Sequence, residues 1–188
     1  TTTAKLDITI NGSEDAPLVG NATVSVSEEG LAKGIADSIG NPTNAADTTN
    51  LATVSGTIAV SDPDSVETVS LVAPATALTS AGVTVVWTLS PDGHTLGGRA
   101  GSGGPEVLRA TITDAGAYTV TLSKAIDHPT ANGENISTLS IGVRATDGTA
   151  TTQGTLTVNI EDDAPTAIAG TQTVVLPSQD TNIMLILD

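Results

Sequence analysis

The chain has 188 residues, with 21 acidic side chains against 6 Lys and Arg and a formal charge of −15. Nucleic acid and anionic membrane surfaces both need a basic patch, so neither is an expected partner, and divalent cations are the natural counter-charge. With no cysteine there is neither a disulfide framework nor a thiolate metal site, and one Trp, one Tyr and no Phe leave a light aliphatic core.

Taken in chain order, a period of two dominates. ATVSVS (22–27), VSGTIAVS (54–61), VETVSLV (66–72), VTVVWTLS (83–90), VLRATIT (107–113), YTVTLS (118–123), LSIGVRAT (139–146) and GTLTVNI (154–160) alternate in the manner of strands. Val, Ile and Thr, branched at Cβ, suit a pleated surface. Residues 29–50 read as a long irregular connection with room for one helical turn, and GGRAGSGG (97–104) as a loop. SPDGH (90–94) and TDAGAY (113–118) place Pro or Asp before Gly, as tight hairpins require. Trp87 alternates with Val83, Val85 and Leu89 and is the expected core anchor, with Tyr118 a second inward aromatic. No apolar run reaches the about 18 residues of a membrane span, and no signal-peptide pattern opens the chain. Membrane insertion is not expected.

One internal repeat organises the whole. TTTAKLDITI (1–10) aligns with TTQGTLTVNI (151–160), and each is followed by an acidic junction ending in Ala-Pro, NGSEDAP (11–17) and IEDDAP (160–165). A repeat of this kind reads as an array of modules. Residues 1–13 are then the last strand of a preceding unit with its linker, 14–165 a complete unit, and 166–188 the start of a following domain. Roughly eight short strands joined by Gly- and Asp-rich turns fit an all-β, Greek-key β-sandwich.

The acids are not scattered. If the chain enters such a sandwich at one end and leaves at the other, the first strand carries Glu28 and Glu29 to the exit, where Glu161, Asp162 and Asp163 also lie. The loops holding Asp62, Asp64 and Asp147 return to the entry, beside Glu14 and Asp15. Unpaired, these groups would repel one another. Ca²⁺ takes about six to eight hard oxygen ligands, whereas Mg²⁺ demands tight octahedral geometry and keeps its waters. The expectation is Ca²⁺ at both ends, with proline stiffening the chain as it leaves the ion. The plainer alternative for any one of these residues is a solvated turn acid.

Catalysis finds little support in the residues. Asp62 and Asp64 stand two apart in one loop rather than across a cleft, His94 and His128 are far apart in sequence, and GGRAGSGG lacks the Lys of a phosphate loop. No small-molecule substrate is expected. Direct binding of a glycan, ice or a protein through surface loops is the alternative function, though sugar sites usually present aromatic platforms and this chain has almost none.

SEEGL (27–31), ATVSGTIAVSDPD (52–64), LSPDGHTL (89–96), IDHPT (126–130) and RATDGTATTQGTLTVNIEDDAP (144–165) together resemble the long immunoglobulin-like repeats of giant RTX adhesins, bacterial surface proteins exported by type I secretion. DAGAYTV (114–120) resembles the Asp-x-Gly-x-Tyr corner of immunoglobulin-like domains, where a Tyr hydroxyl ties down a turn. The arrangement of acids is similar to that of cadherin repeats, whose junctions bind calcium; those junctions are longer and carry Asn where IEDDAP has none. The resemblance implies an immunoglobulin- or cadherin-like fold and a non-catalytic extender role at the cell surface, supporting adhesion and biofilm formation. It implies neighbouring repeats of the same adhesin as partners. TNIMLILD (181–188) resembles the first strand of a von Willebrand factor A domain, in which Asp188 would begin the metal motif.

Overall fold

Alternating Thr and aliphatic residues pair into sheets because each strand then turns one apolar face inward and one polar face outward. The structure is a computed structural model, and it describes residues 3–35, 48–65, 67–129 and 135–163. The central part of the 29–50 connection and the whole of 166–188, Asp188 included, lie outside the described residues. Residues 3–16 carry neither strand nor helix, and Leu6, Ile8 and Ile10 are exposed.

The elements in order are β1 (Leu18–Val19), β2 (Ala22–Ser27), a 3-10 turn (Glu28–Gly30), β3 (Thr53–Thr57), β4 (Val60–Ser61), β5 (Thr68–Val72) and β6 (Thr79–Ser80). There follow β7 (Val83–Leu89), β8 (Thr95–Ala100), β9 (Glu106–Ile112), β10 (Ala117–Leu122), β11 (Ile136–Thr146) and β12 (Thr151–Glu161). One sheet has the order β2-β12-β11-β5, the other β3-β10-β9-β8-β7-β6, and β1 with β4 makes a short separate pair. All pairings are antiparallel except β12 with β2, which run parallel in register from Leu156↔Ala22 to Glu161↔Ser27. The fold is an all-β sandwich. Among the described residues no helix is long and apolar enough to cross a membrane.

The core is the set of inward positions from both sheets. Val24, Val26, Leu71, Leu139, Ile141, Val143, Leu156, Val158 and Ile160 come from the first sheet. They face Leu96, Leu108, Ala110, Ile112, Val120 and Leu122 of the second.

Three expectations change. The stretch 54–61 is not one strand: β3 pairs with β10, the chain turns inward at the fully buried Ile58, and β4 pairs instead with β1. The loop expected at 97–104 begins as strand β8, in which Gly97 and Gly98 pair with Thr88 and Trp87. A Cβ on Gly98 would stand 2.7 Å from the Trp87 ring, so the glycine is where the indole lies. Of the Trp87 group, Val85 is buried, Trp87 packs partly buried against the core, and Val83 and Leu89 face solvent. Tyr118 is inward as expected, its ring against Gly56.

Both expected hairpins are present, and their turns close the free edge of β5. Gly93 has φ of 77°, a conformation that L side chains avoid, and lies so close to Ser70 that a Cβ would stand 2.6 Å from its side chain. From there Gly93 accepts a bond from Leu71 N at 2.9 Å, while Asp114, in the β9–β10 turn, accepts one from Val69 N at 2.9 Å.

Candidate metal centre

The parallel pairing of β2 and β12 decides which acids meet. Because Glu161 is in register with Ser27, the residues after each strand emerge side by side at the exit end. Ser27 caps the turn that follows β2, accepting from Glu29 N at 3.1 Å, and Glu28 and Glu29 are both buried. Glu161 is 2% exposed and accepts bonds from Thr48 N, Thr48 Oγ1 and Thr49 N, which tie the residues ahead of β3 to the end of β12. Asp163 accepts from Ile35 N at 2.8 Å.

The strand β11 adds the remaining part. Its first residue, Ile136, is in register with Glu161, so the loop arriving from β10 must pass the same end. That loop presents Ile126 N to Glu28 Oε1 at 2.8 Å and His128 Nε2 to the same oxygen at 3.1 Å. On the other side of the ring, Nδ1 lies 3.1 Å from Asn135 Oδ1 and 3.2 Å from Ser137 Oγ. Asn135 also holds Asp162, whose backbone N–H donates to Asn135 O at 2.9 Å and whose Oδ2 accepts from Asn135 Nδ2 at 3.4 Å. The side chains of His128 and Glu28 are only 5% and 6% exposed. Ligand atoms of Glu28, His128 and Asp162 all lie within 4.8 Å of one another, and no other such group of three occurs among the described residues.

The electrostatics follow from this crowding. Burial opposes a charged His128, but the hydrogen bond to Glu28 and the charge of Asp162 outweigh it, and the imidazole pKa lies above its ordinary value. Burial pushes Asp162 upward; His128 pulls it down, and the like charges of Glu28 and Asp163 reinforce the rise. Beside the group opens a cavity of about 360 Å³ lined in part by Glu28, Lys33, Lys124 and Asp163, with both lysines on its exposed rim. Burying carboxylates without an adjacent cation costs several kcal/mol each. Glu28 hydrogen-bonds the His128 imidazole and Asp162 lies beside it, whereas Glu161 and Asp163 are held by the N–H donors of Thr48, Thr49 and Ile35.

The entry end is looser. Asp64 Oδ2 accepts from Asp15 N at 3.1 Å, and Asp62 accepts from Ser65 Oγ at 2.8 Å and Asp64 N at 3.4 Å. Asp62 carries a lowered pKa: slight desolvation opposes the shift, and the bonds from Ser65 and Asp64 outweigh it. Asp147 Oδ1 caps its own loop through Thr149 N and Ala150 N, while its Oδ2 is buried without a hydrogen-bond partner among the described residues. Glu14 is solvent-exposed. The structure therefore places the two expected sets at opposite ends and draws Glu28 and Asp162 together at the exit. At the entry it links Asp15, Asp62 and Asp64 through hydrogen bonds, with no group of three metal-ligating atoms there among the described residues.

His128, Asn135 and Ser137 are absent from the sequence-based site. The reasoning that sends Asp147 to the entry sends the opposite end of the same strand to the exit, and IDHPT lies just ahead of it; that signal was legible. No protein-family model, curated protein or solved structure matches this chain.

Proposed function

We propose that this chain is a non-catalytic spacer module of a bacterial surface adhesin, displayed outside the cell, in which Ca²⁺ at the module ends sets the joint with neighbouring repeats. The observation that carries the reading is the parallel β2–β12 pair, whose ends open onto the buried carboxylates of the exit. Tension along the chain pulls the start of β2 toward the entry and the end of β12 toward the exit. Every bond of that ladder is then loaded in shear at once rather than peeled one by one. Such a geometry suits a rod.

The fit to calcium rests on donor chemistry. Glu28, Glu29, Glu161, Asp162 and Asp163 supply hard oxygens where the chain leaves the sandwich, and buried carboxylates there exceed the local positive charge. These residues would hold the ion, and a bound Ca²⁺ would neutralise them and join the last strand to the linker. At the entry, the buried Asp147 Oδ2 is an acceptor still to be filled. The exposed alternation of Leu6, Ile8 and Ile10 supports residues 1–13 as a strand whose sheet belongs to a preceding module. The test is small-angle scattering of two linked copies with calcium and with chelator. A calcium-dependent straightening and a raised Tm are expected. Identical profiles and melting in both conditions would overturn the reading.

A further inference from the structure

The group centred on His128 is not one that calcium selects. Ca²⁺ takes oxygen ligands, whereas imidazole nitrogen together with carboxylate suits zinc and its late first-row neighbours. We propose that Glu28, His128 and Asp162 form a specific site for such an ion, Zn²⁺ foremost, set into the exit end of the sandwich. The proposal rests on the reading that this end is closed by cations, and it names a second kind of ion there.

Three observations carry it. First, the ligands converge from three separate segments: the turn after β2, the loop after β10, and the end of β12. Zn²⁺ bonds to nitrogen and carboxylate oxygen are about 2.0–2.1 Å, which at tetrahedral angles places neighbouring ligand atoms about 3.3 Å apart. His128 Nε2 and Glu28 Oε1 already stand at 3.1 Å. Second, the ring is oriented from behind. With Nδ1–H donating to Asn135 Oδ1, the Nε2 proton that bonds Glu28 is the one an arriving ion displaces. The freed Nε2 lone pair then faces Glu28, which is how metal-binding histidines are held. Third, the partners are fixed before any ion arrives. Ile126 N holds Glu28 Oε1, Asp162 is held by Asn135 and by Asp163 N, and the neighbouring cavity gives a route in from solvent. Three protein ligands leave a fourth position for water or a second carboxylate oxygen.

An ion here would pin the last residues of the sandwich to the β10–β11 loop. It would share Glu28 and Asp162 with calcium and add the His128 nitrogen, so the imidazole signal separates the two. The chain has 2 histidines, which makes nitrogen-detected NMR of the imidazoles unambiguous. The experiment titrates the chelator-treated whole chain with ZnCl₂ and, separately, with CaCl₂, following the His94 and His128 rings and Tm, and repeats this with His128→Gln. Zn²⁺ should saturate at one equivalent, move the His128 Nε2 signal and not that of His94, raise Tm, and bind at least tenfold more weakly to His128→Gln. Unsaturable Zn²⁺ binding, or a shift confined to His94 near Asp92 and Asp114, would overturn the site. The wild-type NMR decides the matter even if the variant fails to fold. A calcium response without the zinc signature removes this inference and leaves the junction reading. The zinc signature with no calcium response does the reverse.

Discussion

Glu161 is the side chain on which removal should be felt most at the exit end. Its carboxylate is 2% exposed and accepts three bonds from Thr48 and Thr49, the backbone N–H donors standing 3.1 and 3.0 Å away. Glu161→Ala leaves those donors without their acceptor. A buried donor so stranded costs about 1–3 kcal/mol. Thr48 is exposed and recovers water, whereas Thr49 is only half-exposed and recovers less. Relief of the buried charge offsets part of the loss. The net destabilisation should be about 2–3 kcal/mol, and at about 2–4 °C per kcal/mol for a domain of this size Tm should fall by about 4–12 °C. Urea unfolding in chelator, with and without the substitution, isolates this contribution from any bound ion. A midpoint that hardly moves, with an unchanged m-value, would show that the carboxylate does not hold the segment ahead of β3 to the end of β12.

Gly98→Val forces a side chain into the Trp87 ring and the Val85 methyl at 2.7 and 2.9 Å. Overpacking of that kind costs about 1–3 kcal/mol, and the single Trp should report it as a shifted emission maximum. Because the folded-state pKa of His128 is raised above 6.5, its contribution is complete below the unfolded value and is lost as pH rises through the folded one. Thermal melts in chelator should therefore show Tm falling from about pH 6.5 upward, and His128→Gln should flatten that slope. Asp114→Ala removes the acceptor of Val69 N, and hydrogen exchange at the Val69 amide should accelerate several-fold while Leu71, bonded to Gly93 O, changes less. Calcium at about 10 mM, against an affinity of about 0.1–1 mM for extracellular modules, should stabilise the chain by about 1.4–2.7 kcal/mol. Calorimetric titration of Asp62→Ala with Asp64→Ala should show weaker binding if the entry end contributes a site.

Legibility in the sequence tracks how local the deciding information is. The strands β2, β9, β10, β11 and β12 lie within three residues of their expected bounds, because Thr and aliphatic side chains alternate along each one. β8 escaped notice because Gly97 and Gly98 read as a loop; the reason for Gly98 is the indole on the adjacent strand, which no window around residue 98 contains. The exposure of Val83 and Leu89 likewise reflects a place in the sheet rather than a pattern of residues. At the site, the acids were visible from composition and chain direction, and the structure gathers Glu28 and Asp162 as direction alone required. The place of His128 at the exit followed from the same direction argument, but its role did not, since that depends on Asn135 and Ser137 orienting the ring from the strand beyond.

The capped margin of β5 has a consequence for crowding. With the Val69 and Leu71 amides already engaged by Asp114 and Gly93, a like chain drifting alongside finds no open rung there on which to lengthen the sheet. Unsatisfied margins are the usual seeds of aggregation and strand exchange. Were copies packed side by side, the two turn residues would keep this edge of each from annealing to its neighbour.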